Sequence, residues 1–171
     1  MKNWGLWLII GIISLLGGFF ALANPLAATF SATLLAGYMF MVVGALTMVS
    51  AFQTEGWGGR IWAILFGLVM LFLGFHIVGE PLKGTLTLTF AAAILLLAAG
   101  IFRILMAFAV DGGQVRMILI ISGIISLLLG GMILANFPQS ATVVLGLFLA
   151  IELISNGVSL IVLSLASRKA A

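Results

Sequence analysis

Apolar residues dominate the chain in six long runs, which short stretches containing glycine, proline or polar residues separate. The runs do not alternate apolar and polar positions as the strands of a membrane barrel do, so each run predicts a helix. About 20 mostly apolar residues are needed to cross the roughly 30 Å hydrocarbon layer of a bilayer. The pattern therefore predicts an all-α integral membrane protein with six transmembrane helices, at residues 4–23, 25–52, 61–78, 84–110, 115–135 and 140–165.

Charged side chains are too scarce for a soluble protein. Of the 171 residues, 64% are hydrophobic and 6% are charged, whereas a soluble domain carries about 25% charged residues. The net charge of +3 comes from only seven basic residues, so it does not indicate a nucleic-acid partner; the predicted partner is the lipid bilayer. The chain has no Cys and one His, which excludes disulfides and thiolate chemistry and predicts no metal or other cofactor.

The chain contains three copies of one helical hairpin. Positions recur at a step of 56 residues, and segments 11–16 and 123–128 are identical. Each copy holds two spans, so the copies are parallel repeats, and an axis along the membrane normal relates them. We predict a single transmembrane domain, residues 1–171, whose repeats 1–56, 57–112 and 113–171 form a six-helix bundle with pseudo-threefold symmetry. Phe137 is an inserted residue in the third copy. After it, the step from the second to the third copy is 57 residues, so that Gly44, Gly100 and Gly157 are equivalent.

Six recurring glycines predict where helices approach each other closely. Small residues allow such contacts in membranes, and within each copy the two glycines are seven residues apart, which places them on one face of the helix. We expect these faces at helix contacts near the pseudo-threefold axis. The six positions are Gly11, Gly18, Gly67, Gly74, Gly123 and Gly130.

Basic residues predict the orientation in the membrane. Six of the seven fall at or near the side on which the chain begins and ends, and only Lys83 falls on the other. The positive-inside rule therefore predicts that both termini are cytoplasmic. The first run imitates a secretory signal, with Ala21-Leu22-Ala23 before Asn24, but its segment recurs later in the chain, so we expect it to remain as a transmembrane helix. The six residues are Lys2, Arg60, Arg103, Arg116, Arg168 and Lys169.

The hairpin motif resembles the HdeD family of bacterial acid-resistance membrane proteins. The resemblance rests on the segment from Gly11-Ile-Ile-Ser-Leu-Leu to Ala23-Asn24-Pro25, which recurs from Gly123 to Pro138 and departs from the pattern at Gly79-Glu80-Pro81 in the middle copy. It covers the full chain and implies an inner-membrane protein linked to survival of acid stress. It implies no mechanism and no site residue.

Glu152 is the candidate functional residue in the middle of a span. Asn156 and Ser159 follow it at helical spacing and complete a polar stripe, and burial there would favour the neutral form of the carboxyl. One interpretation is a Glu that only locks two helices together, and the other is a proton-binding group. Arg103 either pairs with Glu152 or extends to the cytoplasmic interface.

A second titratable pair lies near the outer end of the third span. His76 and Glu80 are four residues apart and could together respond to external acid; the simpler interpretation is two solvated side chains, with Glu80 paired to Lys83. Thr85, Thr87 and Thr89 alternate along the next span, so we do not expect them to form one polar face.

Three classes of function remain. The first is a non-enzymatic stress-resistance protein of HdeD type, and the second is a small channel or transporter for protons or a small solute. The third is a membrane enzyme, which no paired carboxylates, no nucleophile with a base and no set of metal ligands support, so we expect no catalytic activity. A homo-oligomer and a membrane-protein partner are both left open.

Overall fold

The computed structural model describes residues 4–53, 56–110 and 112–169, and in these ranges it consists of six helices. All six are long and apolar enough to cross a membrane, which confirms the predicted six-span helical class. Lys2 and the side chains of Arg168 and Lys169, used above for the orientation, lie outside the described residues. The helices are α1 (Trp4–Ala23), α2 (Pro25–Ala51), α3 (Trp57–Gly79), α4 (Pro81–Ala109), α5 (Gly113–Ala135) and α6 (Ala141–Lys169).

Several helices start earlier than the apolar runs predict. Pro81 is the first residue of α4. Proline is favourable at this position, because the first N–H groups of a helix have no partner within the helix and proline lacks an N–H. The predicted third span began at residue 61, but α3 starts at Trp57, directly after Gly56. Gly56 has φ of 91°, a left-handed conformation that glycine adopts without a steric penalty. Gly58 and Gly59, which lie between the predicted second and third spans, therefore belong to the first turn of α3.

The closest helix pairs join different hairpin copies. α2 packs along α3, α4 along α5, and α6 along α1, so the first and last helices close a ring. The even-numbered helices also contact one another, and we call α2, α4 and α6 the inner helices and α1, α3 and α5 the peripheral helices. α2 and α6 are in closer contact with each other than either is with α4, which is a departure from threefold symmetry.

The recurring glycines lie between a peripheral and an inner helix, and the predicted position near the pseudo-axis is wrong. A Cβ atom added to Gly67 would lie 2.9 Å from the Gly44 carbonyl oxygen, and one added to Gly123 would lie 2.9 Å from that of Gly100. The reason is that each peripheral helix runs antiparallel along one inner helix, and these glycines lie where the two backbones approach each other. The same contact holds for the remaining pairs: Gly11 with Gly157, Gly18 with Ala150, Gly74 with Gly37, and Gly130 with Ala93.

The two sides of the bundle close differently. We call the side with residues 24–25, 80–81 and 136–140 the proline end, and the opposite side the arginine end. At the arginine end, Arg116 Nε donates to the Ala107 carbonyl at 2.9 Å, and Arg60 Nε to the Ala51 carbonyl at 3.2 Å. Cations are favourable near a helix C-terminus because the last carbonyls lack helical partners. Each arginine thus ties the start of a peripheral helix to the end of an inner one.

Candidate functional site

Threonines join the three inner helices at the proline end. Thr33 and Thr85 share a hydrogen bond between their hydroxyl groups at 2.8 Å, and the Gly146 backbone N–H donates to Thr29 Oγ1 at 2.9 Å. These bonds tie α2 to α4 and α2 to α6. We call Thr29, Thr33, Thr85, Thr89 and Gly146 the threonine junction; its four threonines are buried.

The threonine junction follows the internal repeat. Thr29 and Thr85 are equivalent, and so are Thr33, Thr89 and Gly146. A Cβ at Gly146 would overlap the Pro25 carbonyl oxygen and lie 2.7 Å from Thr29 Oγ1, which explains why the third copy has glycine at this position. As expected, the three threonines of α4 do not share one face, because Thr87 is exposed. Thr85 and Thr89, which are four residues apart, are both buried in the junction. The 56-residue recurrence of both positions was the signal that sequence reasoning missed.

Thr89 differs from the other junction threonines. Its side chain is fully buried, and its Oγ1 has no hydrogen-bond partner in the described part of the chain. Buried hydroxyl groups almost always have a protein or water partner. The centre of the junction therefore has one hydroxyl group that can bond a water molecule or a small polar solute.

A small apolar pocket of about 250 Å³ lies beside the junction. Residues of all three inner helices line it, among them the equivalent Thr29, Thr85 and Thr142, and its lining contains no titratable group. It can hold a small apolar group and offers no acid–base chemistry. The lining residues are Leu26, Thr29, Phe30, Leu82, Thr85, Leu86, Ala141 and Thr142.

Glu152 and Asn156 line a groove of about 460 Å³ between α2 and α6, which we call the α2–α6 groove. Glu152 is exposed, so the prediction of a carboxyl buried inside the bundle is wrong. The reason is that no other helix of the chain covers this face of α6. Four residues of α2 and their equivalents in α6 line the groove: Ala32 and Leu145, Leu35 and Phe148, Ala36 and Leu149, and Met39 and Glu152.

The polar stripe of α6 is only partly in the groove. Asn156 lines the α2–α6 groove beside Glu152. Ser159 does not; it is exposed, and its hydroxyl donates to the Ser155 carbonyl of the same helix at 2.8 Å. A charged residue at the centre of a transmembrane helix costs about 2.5–3.5 kcal/mol on insertion scales, so an exposed Glu152 needs either protonation or a partner.

Arg103 does not pair with Glu152 in the structure. Its Nη1 donates to Ser126 Oγ on α5 at 2.8 Å. The Arg103 side chain therefore does not extend to the cytoplasmic interface either. The side chain of a helical residue leans towards the N-terminus of its helix, and from Arg103 this direction leads towards the middle of the membrane. Neither of the two alternatives left open for Arg103, the pair with Glu152 or the extension to the interface, is therefore found within one copy of the chain.

The acidic side chain at the proline end pairs with lysine. Glu80 and Lys83 form an ion pair of 2.5 Å in which both side chains are exposed. The hydrogen bond from Lys83, and then the charge of Lys83, lower the pKa of Glu80 from its ordinary value of 4.5; desolvation opposes this, and the charge of His76 adds a further lowering. Lys83 is thus the main partner of Glu80, as in the simpler of the two interpretations of this end of the third span.

Three parallel hairpin copies that close into a ring define a six-span, internally repeated membrane protein. Residues 9–78 and 66–135 each match the family described as "Short repeat of unknown function (DUF308)". Together the two matches span about three quarters of the chain, so the protein belongs to this family. Each match runs from one peripheral helix through an inner helix into the next peripheral helix. No curated protein and no solved structure matches the chain significantly.

Proposed function

We propose that the protein is a non-enzymatic, multi-pass protein of the bacterial inner membrane that supports survival of acid stress, as the HdeD family does. Membership of the repeat family and the hairpin motif support the class. The observation that carries the proposal is Glu152, the one acidic side chain within the described helices, which stands in an open groove. An ionisable side chain within a membrane-spanning helix is costly, which supports a functional role for Glu152.

The distribution of basic residues supports a cytoplasmic location of both termini. Arg60 and Arg116 lie at the arginine end, where the chain also begins and ends, and Lys83 lies at the proline end. The positive-inside rule then assigns the arginine end to the cytoplasm. A cysteine placed at Glu80 is expected to react with an impermeant reagent added outside the cell. Labelling of this cysteine only after the membrane is opened would reverse the orientation.

Survival of bacteria after acid shock tests the proposed role. Cells that express the parent chain are expected to survive better than cells with an empty vector, and Glu152→Gln is expected to remove most of that benefit. Glu80→Gln is the matched control, because it makes the same chemical change on an exposed acid outside the spans. Equal survival with the parent and with Glu152→Gln, at equal amounts in the membrane, would contradict the role of Glu152.

A small channel or transporter for protons or a small solute is the second candidate. Thr89 favours it: its hydroxyl has no hydrogen-bond partner among the described residues, and a polar group inside the threonine junction can bond a passing water or ion. The tight burial of Thr33 and Thr89 argues against an open path in this conformation. Proton flux into liposomes separates the two functions: flux above that of empty liposomes, and sensitive to Thr89→Val, would favour the transporter.

A further inference from the structure

We propose that two copies of the chain pair within the membrane, with Arg103 of one copy bound to Glu152 of the other. This pairing goes beyond the proposed role in acid resistance and does not depend on it. Three features support it: the repeat symmetry, the equal depth of the two charged groups in the bundle, and the side chains that surround each of them.

The polar stripe of α6 occurs in the third copy of the repeat alone. Glu152 is equivalent to Met39 and Leu95, which are 64% and 68% exposed. Large apolar side chains with this exposure face the lipid in a membrane protein. The third copy therefore presents a carboxyl at a position where the other two copies present an exposed apolar side chain. The other two positions of the stripe are apolar in the first two copies as well: Val43, Ala99 and Asn156, and Leu46, Phe102 and Ser159.

Glu152 has no charged neighbour in its groove. Within the described residues it forms no ion pair, and Asn156 is the only other polar side chain among those that line the groove. Ionisable side chains in membranes face a partner or a water-filled cavity rather than lipid. A basic side chain at the same depth would satisfy the carboxylate.

Arg103 meets this requirement. It is exposed and lies six residues before the end of α4, and its described hydrogen bond to Ser126 uses one of its five N–H donors. The remaining donors can bind both oxygens of a carboxylate, which is the preferred geometry of an arginine–carboxylate pair. Its equivalents in the other copies, Thr47 and Leu160, carry no charge.

The repeat symmetry places the two charged groups at the same depth. Ser126, which holds the Arg103 guanidinium, is equivalent to Ser14. The Ser14 hydroxyl donates to the Leu153 carbonyl of α6 at 2.8 Å. The guanidinium therefore lies at about the depth of Leu153, which is the residue next to Glu152.

The pair fits two copies better than one. Within one copy Arg103 is bound to Ser126, and no residue of α4 lines the α2–α6 groove. The two residues lie on α4 and α6, which are neighbouring helices. A twofold axis along the membrane normal would therefore bring each arginine to the glutamate of the other copy, and the contact would occur twice.

Charge reversal in liposomes tests the pairing. The chain has no Cys, so Gln139→Cys in the turn at the proline end can carry a donor dye in one sample and an acceptor dye in another. Energy transfer is then measured as the protein is diluted into lipid. The parent is expected to show transfer, whereas Glu152→Arg and Arg103→Glu are each expected to associate at least about tenfold more weakly.

Mixing the two reversed variants distinguishes pairing between copies from pairing within one copy. In a mixed dimer of Glu152→Arg and Arg103→Glu, each contact again joins one basic and one acidic side chain. One contact is the natural pair, and the other is the same pair with its charges exchanged. Energy transfer is therefore expected to return when the two variants are mixed. An unrestored mixture, or a parent that stays monomeric at all dilutions, would overturn the proposal. A parent chain that is monomeric and binds a different membrane protein through Glu152 would also overturn the proposal.

Milder variants cover the case in which a reversed charge prevents insertion. Glu152→Gln and Arg103→Gln are each expected to weaken association by about tenfold or more. Leu95→Gln places the same amide at the equivalent exposed position of the second copy and is expected to leave association unchanged. Association of both Glu152→Gln and Arg103→Gln at the strength of the parent would overturn the proposal.

Discussion

Neighbouring glycines provide an internal test of the packing between peripheral and inner helices. Gly17 and Gly18 are adjacent in α1, but only Gly18 faces α6 closely. A Cβ at Gly18 would lie 2.6 Å from Ile154 Cγ1 and 3.0 Å from the Ala150 carbonyl oxygen, whereas a Cβ at Gly17 has its nearest neighbour at 3.8 Å. Gly18→Ala is therefore expected to destabilise the bundle, and Gly17→Ala is not.

The expected magnitude follows from these distances. Ordinary carbon contacts begin near 3.5 Å, so α1 and α6 must separate by a few tenths of an ångström to accept Gly18→Ala. Overpacking of this kind costs about 1–3 kcal/mol. Both substitutions bring the same gain in helix propensity, up to about 1 kcal/mol, so the difference between them isolates the contact. Gly18→Leu adds a larger side chain at the same contact and is expected to cost at least as much.

Thermal unfolding in detergent measures the effect. For a chain of this size, about 2–4 °C of Tm corresponds to 1 kcal/mol, so Gly18→Ala is expected to melt several degrees below Gly17→Ala. Gly130 and Gly131 repeat the comparison in α5, because Gly130 is in close contact with α4 and nothing lies within 4 Å of a Cβ at Gly131. Equal melting temperatures within both pairs would refute the packing described here.

Two further predictions concern the proline end. Thr33→Val removes the hydrogen bond between the Thr33 and Thr85 hydroxyls and is expected to lower the unfolding free energy by about 1 kcal/mol. Thr87→Val, on the exposed face of α4, is expected to cost less. Equal losses would contradict a role of the threonine junction in joining the helices. Because its pKa is lowered by Lys83, Glu80 contributes stability above pH 4.5 that is lost as the pH falls further. Glu80→Gln is expected to remove this small dependence, and an unchanged acid profile would show that the ion pair does not contribute in solution.

The fold could be predicted because its two strongest signals lie in local sequence. Six apolar runs of membrane-spanning length require helices, and a fixed step of 56 residues requires equivalent helices in parallel copies. The pairing of helices could not be predicted in the same way. Gly11 indicates that its face makes a close contact, but the local sequence does not show which helix lies there, and the structure places α6 there.

The candidate site could be predicted only in part. Glu152 and Asn156 stand out because polar residues are rare in this chain, and the structure places both in one groove. Their exposure depends on which helix covers that face, and this is a property of the packing rather than of α6. Two surroundings were left open for Arg103, a pair with Glu152 or the cytoplasmic interface, and in the structure the Ser126 hydroxyl of α5 holds the guanidinium instead.

Cross-linking between α1 and α6 tests the central claim, the closure of three hairpins into a ring by the first and last helices. The Ser14 Oγ lies 2.8 Å from the Leu153 carbonyl oxygen, so Ser14→Cys and Leu153→Cys are combined in the cysteine-free chain. Ser14→Cys combined with Leu35→Cys is the control, because α1 makes far fewer contacts with α2 than with α6. Oxidation in the membrane is expected to link the first pair rapidly within single chains and the second pair slowly or not at all. Rapid linkage of the control pair, with none between Ser14→Cys and Leu153→Cys, would contradict the ring.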